Sequence, residues 1–415
     1  MAYLTLDAEV KEKLIDDRPA LRALLQLAKS GDQNVLYGAV TTFVNLCNAY
    51  DKQEMVPEMI QLAQFAKQHI PEEHELDDPD FAAKRLTVLC EEGLSSALVA
   101  LSKTQSDNSK ELIARVMNAL CSLTELRGKV VQDGGAKAML PLCFEGTAKG
   151  KRQAAQSLSR IGISINPEVA FPGQRHLEVI RPLLNQLHPD CTALENFEAM
   201  LALCNLAQMN ENVRQRILRE DGLQKVEVYL MEQHEYLCRA AAQVICNMAV
   251  SEDVVKLHEK QNDRIKFLSL LCQEEDEELA IACSGALAIL TSASKICCRK
   301  MFDSVSWLDI LHTLIANPSP KVQHRGVVII YNMICSDEDV AEKLLDTDIM
   351  QLLQGLTQLP DETRAKAKEV AVECLKEAEK KQLISKKEVA DERDQLMPDP
   401  FEAAAAEAAE EEFIE

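Results

Sequence analysis

A small residue followed by apolar residues four and seven positions later recurs at a nearly constant interval, and this interval restricts the possible folds more than any other feature of the sequence. The series runs Ala199, Leu203, Leu206; Ala241, Ile245, Met248; Cys283, Leu287, Leu290; Gly326, Ile330, Met333. Its small positions step by 42, 42 and 43 residues. Residues so spaced share one helix face, and a period of roughly 40 to 47 residues is that of armadillo and HEAT arrays. Upstream the pattern continues less regularly at Ala154, Leu158, Ile161, at Val116, Leu120, Leu123 and at Ala39, Phe43, Leu46.

Shorter helical patterns lie between these long ones and open at glycines: "EEGLSSALVAL" at Gly93, "QDGGAKAMLPL" at Gly134 and Gly135, and "REDGLQKVEVYL" at Gly222. A glycine can end one helix in the left-handed conformation and let the next start at a sharp angle. Each repeat therefore reads as a first helix, a glycine corner, a second helix and a long third helix. That is armadillo rather than two-helix HEAT geometry. It also explains runs such as "CRAAAQVICNMAV" at 238–250, which keep almost no polar face: a third helix packed by its own repeat and both neighbours is buried around most of its circumference. The expected fold is all-α, a right-handed armadillo-repeat solenoid of about seven to eight repeats. Only 4% of residues are aromatic and runs of β-branched residues are few, which agrees with it.

Two stretches break the period. After Tyr50, "MVPEMIQLAQFAKQHI" runs into the polar "PEEHELDDPD", where Asp78 and Pro79 suit a helix cap and first turn. After Ile161, "GISINPEVAFPGQR" carries the apolar residues Ile163, Ile165, Val169 and Phe171, which a merely solvated connector rarely needs. The expected organisation is N-terminal armadillo-like repeats over 1–92, a main repeat domain over 93–384 with this loop at 162–176, and a disordered acidic tail over 385–415. Residues 388–415 hold eleven acidic side chains and one Arg. The helical pattern is already under way after Met1, which suggests a piece of a longer chain.

A formal charge of −22 argues against nucleic acid as a partner, since phosphate binding needs clustered cations. No apolar run approaches the roughly 20 residues that span a bilayer, and no secretory signal opens the chain. A cytoplasmic protein without a membrane partner is expected. Fourteen cysteines, among them Cys121, Cys204, Cys246 and Cys374, sit in helical apolar patterns with no CxxC pair, as reduced core thiols do. His69 and His74 flank the helix-breaking Pro71, the adjacent Cys297 and Cys298 point apart on a helix, and "QDGG" lacks the strand and Lys of a phosphate loop. No catalytic residue, metal site or cofactor is expected. His324 and Arg325 open a third helix and face either groove or solvent.

Six positions after the small residue, several long helices carry asparagine: Asn45, Asn205, Asn247 and Asn332, against Ser122, Arg160 and Ile289 in the others. Third helices line the groove of such a solenoid, and an amide can donate to and accept from an extended backbone at once. The other reading is an Asn bonded to a neighbouring helix end or loop. Armadillo carriers of nuclear-import signals pair each Asn with a Trp one turn earlier. Here those positions are Thr41, Leu201, Gln243 and Val328, and the single Trp307 lies in a second helix, so import is disfavoured.

The segments "VQHRGVVIIYNMI", "NFEAMLALCNLA", "INPEVAFPGQR", "KQHIPEEH" and "AYLTLDAEVK" closely resemble the UCS-domain myosin chaperones of animals, from near residue 2 to about Ile384. The resemblance implies a chaperone module that binds the myosin motor domain and assists its folding without ATP of its own. It implies Hsp90 as a second partner, reached through a TPR domain whose pattern does not occur in these residues. It also implies a client-binding groove at Asn205, Asn247, Tyr331 and Asn332, with a groove loop at Phe171, Pro172, Gly173 and Arg175. A static armadillo adaptor joining folded proteins is the competing function.

Overall fold

A computed structural model describes residues 1–30, 32–50, 65 and 74–381. Apart from Phe65, the 55–70 pattern lies outside the described residues, as do His69 and the acidic tail. Among those described there is no strand, and no helix is long and apolar enough to cross a membrane. The chain divides into two compact units after Ser251.

Among the described residues the first unit holds five helical groups, triads except that three short helices precede the long one of the fourth; their long third helices are Gln33–Leu46, Asp107–Ser122, Ala148–Ser164, Ala193–Met209 and Glu235–Met248. The second holds three, ending in Glu277–Ala293, Pro320–Ser336 and Ala365–Lys380. Within each unit consecutive third helices pack on one another, and each also packs on the second helix of its own triad, as Ala148–Ser164 does on Gly135–Leu142. The eighth third helix, Ala365–Lys380, escapes the sequence pattern because its core positions Ala367, Ala371 and Cys374 are all small.

The core follows the repeat. Leu203, Leu206, Met248, Leu287, Leu290, Ile330 and Met333 are fully buried, and each withheld large aliphatic side chain is worth about 1.5–3 kcal/mol relative to exposure. Four third helices start at side-chain caps. Ser106, Thr147 and Asp276 each accept from a backbone N–H three residues on, and Thr192 forms a reciprocal capping box with Glu195.

Four of the corners between first and second helices are left-handed, at Gly93, Gly134, Asp221 and Ser306, so not always at glycine. Gly93 and Gly134 have φ of 100° and 89°, whereas the corner before Gly222 is made by Asp221 at φ 55°. Gly222 serves close packing instead, because a Cβ there would lie 2.6 Å from Ile217 Cγ2. Gly93, where the sequence suggests a domain boundary, is the corner inside the second triad.

Candidate functional site

The repeated asparagines reach backward by one repeat. Asn205 Nδ2 donates to the carbonyls of Gly162 and Ile163, both at 3.0 Å. Asn247 Nδ2 donates to the Cys204 carbonyl at 3.0 Å and contacts its sulfur at 3.1 Å, while Asn247 Oδ1 accepts weakly from Gln243 at 3.4 Å. Asn332 Nδ2 donates to the Ala288 carbonyl at 3.2 Å and the Thr291 hydroxyl at 3.0 Å. At the first triad the buried Asn45 bonds Ala2 O and Thr5 Oγ1. Each donor thus satisfies a carbonyl or hydroxyl of the neighbouring helix or N-terminal segment.

This geometry narrows the expectation of two-way contact with a bound backbone. The amide donors are spent, so what Asn205 and Asn332 can still offer is an acceptor oxygen. Asn247 uses both ends of its amide inside the repeat array. All three are only half-buried, so their faces remain reachable.

The loop after Ile161 is ordered by its own caps. Asn166 Oδ1 accepts from Glu168 N at 2.9 Å, and Pro167 takes the first position of the short helix Pro167–Ala170. Phe171, expected among the client contacts, is 2% exposed. Its ring wedges beside Gly162, where an added Cβ would meet Phe171 Cε2 at 3.4 Å and Ala202 Cβ at 3.2 Å. The side chain anchors the loop to the two flanking third helices. Pro172 and Gly173 are exposed beyond it, Arg175 is half-buried, and Val169 is 62% exposed.

Loop and asparagine meet at one open cleft of about 430 Å³, lined by residues 163–168, where the helix Ala148–Ser164 runs into the loop, with Asn205, Gln208 and Met209. Ile163, Ile165 and Met209 supply apolar surface there, and Asn205, Ser164 and Gln208 supply polar groups. A second cleft, of about 810 Å³, lies in the other unit and contains the remaining expected residues, Tyr331 and Asn332. The Tyr331 phenol is pushed up by the adjacent Cys335 thiol, then by burial and the carboxylates of Glu377 and Glu373.

A polar network was not anticipated from the sequence. Asn118 Nδ2 donates to Gln153 at 2.7 Å and Gln156 at 2.8 Å, Gln156 donates to Glu198 at 2.8 Å, and Arg160 pairs with Glu198 at 2.9 Å. Arg160 also donates to the Asn118 backbone carbonyl at 3.1 Å. It occupies the ladder position of its repeat and performs the same backward bond as the asparagines. The signal available was its spacing, which a search for asparagine alone passes over. Arg325 likewise donates back to the Ile281 carbonyl, and burial, then Lys366 and Arg325, lower the pKa of half-buried His324.

Among the described residues no three potential metal ligands cluster. His74 Nδ1 instead accepts from Leu76 N at 3.1 Å. Cys297 and Cys298 are both buried, the latter bonded to the Thr291 carbonyl.

No family model matches the chain. Protein unc-45 homolog B of Danio rerio is 43% identical over 385 residues, which cover 91% of this chain and 41% of that protein. UNC-45 from Drosophila melanogaster aligns in structure with a TM-score of 0.85 and 68% identity, over 92% of this chain and 49% of that one. The crystal structure of the myosin chaperone UNC-45 from C. elegans in complex with a Hsp90 peptide aligns with a TM-score of 0.80 and 33% identity, over 90% of this chain and 40% of that one. The chain therefore spans half or less of the length of these proteins, and shares with them the armadillo-like helical solenoid.

Proposed function

Since the chain belongs to the UNC-45 family over about nine-tenths of its length, we propose that it is a client-holding module that binds the myosin motor domain and assists its folding and assembly. The observation that carries this reading is the meeting of residues 163–168, at the helix end and the loop that follows, with Asn205 in one open cleft. A partly folded client exposes extended backbone and apolar side chains together. The Asn205 oxygen would accept a client N–H, while Ile163, Ile165 and Met209 cover apolar side chains. Pro172 and Gly173 would extend the contact at the loop tip. Tyr331 and Asn332 would hold a further segment at the second cleft.

Holding of this kind uses binding free energy alone and needs no nucleotide in this chain. Hsp90 would be the second partner, acting through a domain of the family outside these residues, in the cytoplasm. The C. elegans relative is described with a Hsp90 peptide, which supports such a partner for this chain.

The test is a paired substitution, Ile165→Glu with Met209→Glu, which places two charges in the cleft. Protection of a heated myosin motor domain against aggregation should fall severalfold while far-UV circular dichroism stays unchanged. Full protection by this variant would rule out the cleft. A static adaptor would instead bind native and heated motor domains equally well.

A further inference from the structure

The cleft of the second unit has a chemistry of its own. One wall is the Pro320–Ser336 helix, which contributes Val328, Tyr331 and Asn332; the other is the Ala365–Lys380 helix, with Val372 37% exposed. Along this second wall stand Glu369 and Glu373, both exposed and one helical turn apart. Lys376 is the cation in the lining and is paired with Glu373 at 2.8 Å. The cleft thus combines an apolar floor with an acidic rim. Its volume of about 810 Å³ exceeds what an ion needs and accommodates several side chains.

We infer that this cleft is a docking site for a basic, apolar peptide segment, in which Leu-like side chains cover Val328 and Val372 while Lys or Arg residues reach Glu369 and Glu373. This deepens the client-holding reading and rests on it, by giving the chemistry of one client segment. Long cationic side chains suit the site because their methylene stems lie on apolar surface while the charge reaches the rim. An acidic segment is repelled by the same carboxylates. The chain's own C-terminal run carries the wrong charge for the site, since residues 388–415 hold eleven acidic side chains and one Arg. The overall charge of −22 adds steering of the same sign.

Fluorescence anisotropy of a dye-labelled twelve-residue peptide of alternating Leu and Lys tests this with the full chain. Peptides of alternating Leu and Glu, and of alternating Gly and Lys, are the comparisons. The Leu–Lys peptide should bind best, and Glu369→Gln with Glu373→Gln should weaken it about fivefold at low salt. A control pair on an exposed loop of the same unit, Glu274→Gln with Glu275→Gln, removes equal charge and should leave binding unchanged. Val372→Ser should weaken the Leu–Lys peptide and not the Gly–Lys one. Equal loss in both charge variants, or equal binding of the Leu–Glu peptide, would overturn the inference. If the Leu–Lys peptide fails to bind while the chain still protects heated myosin, only this inference falls; if the chain does neither, both readings fall.

Discussion

At the scale of single residues, the asparagine series is first a set of fastenings between repeats. A hydrogen bond between neighbouring helices contributes about 0.5–1.5 kcal/mol net, and each of Asn205, Asn247 and Asn332 makes such a bond to a part-buried carbonyl. Asn247→Ala should lower unfolding stability by about 1 kcal/mol in urea, with Asn205→Ala and Asn332→Ala similar; a midpoint unchanged in all three would refute this role. Asn205→Asp is the more discriminating change, because it keeps an acceptor at the cleft and removes the donor. It should destabilise the array while retaining more client protection than Asn205→Ala. The positions of these residues were legible from their spacing of about 42 residues. Their bonding was not, since sequence does not say which atom of an amide meets the neighbouring helix. Arg160 was overlooked for a related reason: a long guanidinium reaches the same carbonyl from a different residue type.

At the scale of elements, close approach decides where the sequence must be glycine. Gly326 faces the second helix of its own triad, and a Cβ there would stand 2.6 Å from Leu314 Cβ and 3.1 Å from its backbone carbon. Gly326→Ala should therefore cost about 1–3 kcal/mol by overpacking, readable as a lower denaturation midpoint. Phe171→Ala should cost about 3–5 kcal/mol and loosen the loop it anchors, raising hydrogen exchange at residues 163–175. The loop's apolar content was visible in the sequence, but the division of labour within it was not. Alternation of Ile163, Ile165, Val169 and Phe171 does not reveal that one turns fully inward while Val169 stays out.

The polar stretch before Pro79 hides a second element-scale device. Asp77 accepts from Lys11 at 2.7 Å and from Arg85 at 3.2 Å, and both cations are almost fully buried. Arg85 also bonds Glu12 at 2.5 Å and the Leu46 and Leu76 carbonyls. Removing one member of a buried charge cluster leaves the others uncompensated, at about 3–5 kcal/mol. Asp77→Ala should show that loss in chemical denaturation, and a shift below about 1 kcal/mol would contradict the geometry. Pattern reading found the helix start at Pro79 and missed the cluster, because the cluster joins residues more than sixty positions apart.

At the scale of the whole molecule, the repeat was the part most open to reading, because a 3.6-residue face recurring every 42 residues has few folded solutions. It failed only where small residues weakened the apolar signal, as in the Ala365–Lys380 helix. The cysteines follow the same logic. Twelve of fourteen are buried, Cys191 is half-buried and Cys335 is exposed. Burial pushes Cys121, Cys272 and Cys374 up to about 12. Their folded values lie above the unfolded ones, so this contribution to stability is full below the ordinary thiol range and is lost as pH rises toward about 12. The urea midpoint should accordingly fall in that alkaline window. Brief alkylation of the native chain near neutral pH should modify Cys335 ahead of the buried thiols, as peptide mass mapping would show.

The central claim is that these repeats hold a motor domain by themselves. The direct measurement is light scattering of a purified myosin motor domain heated with and without this chain, with no nucleotide added and an unrelated armadillo protein as control. The account predicts suppressed scattering at near-equal molar ratio with this chain and not with the control. Equal scattering with both would contradict it, and would leave the chain as a scaffold on which other chaperones act.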